Sequence, residues 1–340
     1  MAESSEVGSL SLAGRLKLWA VILTVLVGLP VALFLWMTSV PGRSFDGASP
    51  PPAPARVAMA SRLRDDVTAI ASEPHNLSHQ AALLRAEAHI ASELRKAGYD
   101  VRVQEVLLPA RNLEVVLEPT DPKAPTLIVG AHYDSFLEAP GANDNGSGTA
   151  ALLELARAFK PYDRKLSRRL RLIFFVNEEP PYFKSNAMGG KVAADRLAAT
   201  GESIEGMISL ETMGYFDDRP GSQRYPFPLS IRYPDTGNFI AFVGDLSSRT
   251  FLRDAIQRFR DHAQVPSVGG TAPSFVQGID WSDHWAFSQK GIPAFMVTDT
   301  APFRYPHYHR GTDRPDKLDY DRLALVVEGL NAMIVEMATS

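Results

Sequence analysis

The chain has 340 residues, a formal net charge of −4 and no cysteine. That charge gives no basic footprint, so nucleic acid is not expected as a partner. The missing thiols exclude cysteine nucleophiles, disulfides and thiolate metal sites, so any metal has to be held by His, Asp and Glu.

Residues 18–37, "LWAVILTVLVGLPVALFLWM", run about twenty residues without a charge, enough to cross a hydrocarbon core as a helix. Trp19 and Trp36 stand near the two ends, where an aromatic belt would place them. Pro30 and the lack of a polar face argue against a buried core helix, and no A-x-A-like cleavage site follows. Arg15 and Lys17 precede the span and Arg43 follows it, which predicts a cytoplasmic tail over 1–17, a signal anchor over 18–40 and an extracytoplasmic remainder. Residues 41–57, "PGRSFDGASPPPAPARV", read as a semi-extended spacer, and residues 58–340 as one domain.

Within that domain, helices are predicted over 58–72 and 79–97. Strands are predicted over 101–108, 112–118 and 126–131, then a helix over 147–160. Further strands follow at 170–176, 206–210, 238–243 and 293–298, with helices at 248–262 and 318–338. Apolar strands alternating with helices predict an α/β fold, a mainly parallel mixed β-sheet flanked by helices on both faces. Ligands in such folds gather at the carboxyl ends of the strands.

Metal-capable residues fall at those ends. "LIVGAHYDS" delivers His132, "LIFFVNEEP" delivers Glu178 and Glu179, and "MISLETMGY" delivers Glu211. "FMVTDTAPFRYPHYH" leads through a loop to His309, with His307 as a competitor two residues earlier. Asp144, in "GANDNGSG", either ligates or caps the helix that begins near Ser147. Imidazole and carboxylate suit a pair of divalent ions. Two Zn²⁺ would bring four positive charges against three negative ones from Asp144, Glu179 and Glu211, and the remaining charge favours deprotonated water. Asp134, on the same face of an extended segment as His132, can accept the second imidazole N–H. Of the two adjacent glutamates, one can reach a metal while the other moves a proton.

At these residues the chain resembles the zinc-dependent aminopeptidases, glutamate carboxypeptidases and glutaminyl cyclases of metallopeptidase family twenty-eight. The likeness spans about residues 60–340. It rests on "GAHYDS", "GANDNGSG", "NEE", "SLETMGY", "SDHWAFSQKGIPAFMVTDT" and "YHRGTDRPDKLDY" in that order. It implies that His132 and Glu211 hold one zinc, that Glu179 and His309 hold the other, and that Asp144 bridges them. It further implies catalytic roles for Glu178, as general base, and for Asp134, behind His132. Many members have Asp where this chain has Glu211, and "PPYFKSNAMGGKVAADR" lacks the Gly-Leu-Leu-Gly-Ser pattern of many aminopeptidases.

The implied protein is a membrane-anchored exopeptidase, foremost an aminopeptidase, acting on peptides with two Zn²⁺ or other divalent ions and a metal-bridging hydroxide. A single-zinc glutaminyl cyclase and a non-catalytic receptor-like ectodomain are the alternatives. Tyr308 is a candidate oxyanion donor or a packed tyrosine, and Arg304 or Arg310 a candidate for a substrate carboxylate or a surface cation. Asp283 and His284 are expected to structure the site. Asn76-Leu-Ser and Asn145-Gly-Ser match glycosylation sequons, the second inside the proposed metal loop.

Overall fold

The computed structural model describes residues 11–340, so the first ten residues of the expected cytoplasmic tail lie outside the described residues. The chain divides into two units, one ending at Ser39 and one running from Val40 to Ser340. The first is a helix, α1 (Leu12–Thr38), of 27 residues. At about 1.5 Å per residue it is about 40 Å long, more than a hydrocarbon core of about 30 Å requires. Leu12, Trp19, Leu26 and Trp36 along it are all exposed. By length and composition it can cross a membrane.

In the second unit the segment expected as a spacer is pinned at its start. Arg260 donates to the carbonyls of Pro41 and Gly42, and the Ser267 N–H donates to Ser44 Oγ at 2.9 Å. Helix α2 (Pro54–Ile70) begins ahead of the predicted residue 58, because proline in the first turn has its φ already set and lacks an N–H that would go unpaired there. Then come α3 (Gln80–Lys96), β1 (Arg102–Leu107), β2 (Ala110–Leu117), β3 (Thr126–His132), α4 (Gly148–Phe159) and β4 (Arg169–Phe175). They are followed by α5 (Gly189–Ala199), β5 (Ile204–Glu211), β6 (Ile240–Asp245), α6 (Arg249–His262) and β7 (Ser267–Ala272). A short α7 (His284–Ser288), β8 (Ala294–Thr298) and the long α8 (Tyr320–Thr339) close the chain.

The strands form one mixed sheet in the order β1-β2-β4-β3-β5-β8-β6-β7. Its centre, β4, β3, β5 and β8, is parallel. Antiparallel pairs attach the flanks, β2 on β4 and β6 on β8. Every residue of β3 is buried, as a strand covered on both faces must be. Alternation sends Leu127 and Val129 into one core with Leu63, Leu83, Leu152 and Leu330, and Ile128 into a second with Leu197, Met207 and Phe287. The helices therefore lie on both faces, and the four parallel strands all end at one rim.

Candidate metal centre

In register, His132 at the end of β3 pairs with Phe175 at the end of β4, and Glu211 at the end of β5 pairs with Thr298 at the end of β8. Glu178 and Glu179 follow β4 after Val176 and Asn177, and the chain beyond β8 returns with His309. The rim thus collects side chains from four strand ends.

Asp144 arrives on the turn before α4. Gly141 has φ +73, and a Cβ there would lie 2.6 Å from the Asp144 carbonyl oxygen, so glycine is required. The Asp313 carboxylate accepts from the N–H groups of Asn143 and Asp144 at 2.9 and 3.2 Å and from the Tyr305 hydroxyl at 2.8 Å. Asn145 ties the turn to β5 by donating to Leu210 O, and its Oδ1 accepts from the N–H of Gly148. Asn145 therefore caps α4, and the Asp144 carboxylate is left to face the rim.

Two ligand triads result: His132, Asp144 and Glu211, then Asp144, Glu179 and His309. His132 Nε2 lies 3.4 Å from Asp144 Oδ1 and 3.4 Å from Glu211 Oε2. His309 Nε2 lies 3.1 Å from Asp144 Oδ2 and 3.3 Å from Glu179 Oε2. Asp144 offers one oxygen to each triad. Donors about 2.0–2.1 Å from a tetrahedral ion sit about 3.3 Å from one another, so these separations fit the edges of two coordination tetrahedra. Both Nε2 atoms and Glu179 Oε1 are buried without a hydrogen-bond partner, which also fits bound cations. His307, the competitor, bonds Thr312 instead.

Glu178 Oε2 is 3.9 Å from His132 Nε2 and belongs to neither triad. Asp134 stands behind His132 and also serves the two glutamates. The His132 Nδ1 lies 3.2 Å from the Asp134 carbonyl oxygen and 3.5 Å from its carboxylate. The carboxylate accepts from the N–H groups of Glu178 and Glu179 at 3.1 and 3.3 Å, so it fixes both glutamates as well as the histidine.

Several supporting residues escape sequence reasoning. Ser282 donates to Glu211 Oε2 at 2.8 Å, and Asn143 donates to Asp299 at 2.9 Å. Arg304 is not available for substrate: it is buried, bonded to Gln223 and to the carbonyls of Tyr215 and Phe239, and bridges loops. Arg310 is exposed. His284 bonds Ile279 O at 2.8 Å, and Asp283 is fully buried behind the rim. Both sequon asparagines use Nδ2 in hydrogen bonds, Asn76 to two carbonyls and Asn145 to one.

Electrostatics at the rim are set by burial and by crowding of like charge. Burial raises Glu178 well above the ordinary carboxyl range, helped by Glu211 and Glu179. Burial and then Asp144 push Glu179 up to about 8. Burial opposes protonation of His309, but Asp144 and Glu179 outweigh it and raise its pKa to about 10. Asp144 moves the other way; burial is overcome by the two histidines. The groups raised in pKa bind protons more tightly folded than unfolded, so their contribution is present at low pH and lost as pH rises through the raised values. Zinc needs the deprotonated forms and displaces these protons. The chelated protein should therefore melt at progressively lower temperature from about pH 5 to about pH 8, while added zinc stabilises it more across the same interval. Scanning calorimetry with and without zinc checks this, and a pH-independent zinc effect contradicts it.

Comparison with known proteins places this chain among peptidases. Residues 112–334 match the profile of peptidase family M28. The chain is 37% identical over 268 residues to uncharacterized protein YfbL of Escherichia coli (strain K12), covering 76% of this chain and 80% of that one. Leucine aminopeptidases of Arthroderma otae and Fusarium vanettenii are more distant, at 24% and 26% identity, and the chain spans 56% and 48% of their lengths. Among solved structures, BSAP, a zinc aminopeptidase from Bacillus subtilis, superposes with a TM-score of 0.61 at 17% identity, covering 83% of this chain and 95% of that one. Tannerella forsythia glutaminyl cyclase gives 0.59 at 18% identity, covering 84% and 99%. At these identities the structural likeness concerns the fold.

Proposed function

The chain belongs to peptidase family M28, and on that premise we propose that it is a two-zinc exopeptidase, most directly an aminopeptidase, tethered to a membrane by α1. The carrying observation is Asp144, whose two oxygens lie 3.4 and 3.1 Å from the Nε2 atoms of His132 and His309. A single carboxylate shared by two triads suits a pair of cations. His132 and Glu211 would hold one, Glu179 and His309 the other, with Asp144 between them. Zinc agrees with the donors, two imidazoles and three carboxylates in a chain without cysteine. It agrees also with the zinc aminopeptidase of the same fold.

When bound, such ions supply Lewis-acid charge that acidifies water and polarises a carbonyl. The remaining tasks fall to the chain. Glu178, buried at the rim and outside both triads, is placed to take a proton from water and return it to the leaving amine. Asp134 holds the backbone of Glu178 and Glu179 so that one carboxylate faces the substrate and the other its ion. Arg15 and Lys17 against Arg43 favour placing this rim outside the cytoplasm.

A glutaminyl cyclase reading is favoured by one observation, the cyclase of the same fold. It needs a single zinc, whereas two complete triads are present here. Product analysis separates the two. Incubated with a panel of aminoacyl anilides and N-terminal Gln peptides, the full chain should release free amino acids. Ammonia and pyroglutamate without amino-acid release would overturn the aminopeptidase assignment.

A further inference from the structure

The two imidazoles of the centre are oriented by different forces. His132 is buried, and its Nδ1 has the Asp134 carbonyl oxygen at 3.2 Å. His309 is partly exposed, and its Nδ1 makes no hydrogen bond to any of the described residues. Its backbone has φ +57, a left-handed conformation that a non-glycine residue keeps only where its surroundings over-determine it. The χ2 torsion of histidine is soft, so a ring without a hydrogen bond at Nδ1 needs another restraint to keep Nε2 aimed.

That restraint is aromatic. The Phe136 ring stacks on the His309 imidazole with centroids 3.9 Å apart and planes 6° apart. The Tyr308 ring stacks on it at 3.8 Å and 18°. Two rings cannot share one face at such distances, so the imidazole is sandwiched. Rotation about χ2 would drive it into one ring or the other, and Nε2 stays 3.1 Å from Asp144 and 3.3 Å from Glu179. Phe136 is itself braced. Asn76 Nδ2 donates to the carbonyls on either side of it, Ser135 at 2.9 Å and Leu137 at 2.7 Å. The backbones of His75 and Ser135 bond as well, and the His75 N–H donates to Ser135 Oγ at 2.9 Å.

We propose that Phe136, carried on the Asn76 brace, is a positioning residue that sets the affinity of the ion held by Glu179 and His309. The ion held by His132 and Glu211 does not depend on it. This rests on the two-ion reading above, and the test keeps the two apart.

Metal-stripped full-length protein is titrated with zinc chloride by calorimetry. Wild type should take up two ions per chain. Phe136→Ala should weaken one of the two steps by about 10–100-fold, the usual cost of losing a support behind a metal ligand, and leave the other unchanged. Phe136→Tyr, which keeps the ring, should restore the weakened step. Phe136→Leu keeps apolar bulk without a stacking face, so it guards against a simple folding defect and should behave like Phe136→Ala. Asn76→Ala should weaken the same step. Unchanged affinities in both Phe136→Ala and Phe136→Leu, or equal loss at both steps, overturn the proposal while leaving the two-ion site standing. Uptake of fewer than two ions by wild type overturns both.

Discussion

Replacing Glu178 by Gln should lower kcat by about 10²–10⁴-fold, the range assigned to a positioned proton carrier, with zinc content and KM near wild type. The expectation follows from where this side chain sits. It belongs to neither triad, yet it lies 3.9 Å from His132 Nε2, and its N–H is held by Asp134 at 3.1 Å. Glutamine preserves the volume and the backbone contact and removes only the capacity to carry a proton. Burial raises both neighbours, but their partners differ. Glu178 is lifted well above the ordinary carboxyl range by burial beside Glu211 and Glu179, whereas Glu179 faces His309. Initial rates on an aminoacyl anilide with elemental analysis of the same preparation check this. Activity within tenfold of wild type removes Glu178 from the proposed role.

Asp144→Asn should be as damaging by another route. Each oxygen of Asp144 serves a different triad, so the substitution removes one negative charge from between two cations and makes one oxygen of the shared pair a nitrogen that cannot ligate. Metal content should fall below two ions per chain, and activity with it. The loss of affinity at each site should exceed the about 10–100-fold typical of losing an outer support. Glu211→Ala, in contrast, should empty the His132 side while the other triad retains its donors. The fold should survive in Asp144→Asn, since the turn is held by Asp313 through the backbone N–H groups of residues 143 and 144 and by Asn145, contacts that do not involve the Asp144 side chain. Metal analysis and melting curves of the two variants decide the point. Retention of both ions at wild-type affinity by Asp144→Asn would show that the carboxylate is not shared.

Much of this was legible because buried strands announce themselves. "TLIVGAH" and "IEGMISLE" end in ionisable residues and "RLRLIFF" ends three residues before Glu178, and they form β3, β5 and β4. All five expected ligands then meet at one rim. Elements whose stability is not written in their own residues were missed. Helix α5 opens with Gly189 and Gly190, poor helix formers, because a Cβ at 189 would lie 2.4 Å from Val176 O and one at 190 would lie 2.3 Å from Asp283 Oδ1. Strand β7, "SVGGTA", is a glycine-bearing edge strand that exists through its ladder with β6. The supports of the site were hidden for a similar reason. Asp313 and Ser282 sit inside quoted motifs, but their partners, the turn at Asn143 and Asp144 and the Glu211 carboxylate, are 169 and 71 residues away at the nearest. Spacing along the chain carries no record of such contacts. The stacking of Phe136 on His309 was invisible for the same reason, since an aromatic residue after "HYDS" reads as ordinary loop packing.

The account stands on a carboxylate shared between two cations. Anomalous X-ray scattering at the zinc edge, from crystals of active full-length protein, tests it most directly. Two peaks about 3.5–4 Å apart are predicted, one beside His132 and Glu211, the other beside Glu179 and His309, both within bonding distance of Asp144. A single peak in fully active protein, or peaks away from Asp144, would contradict it.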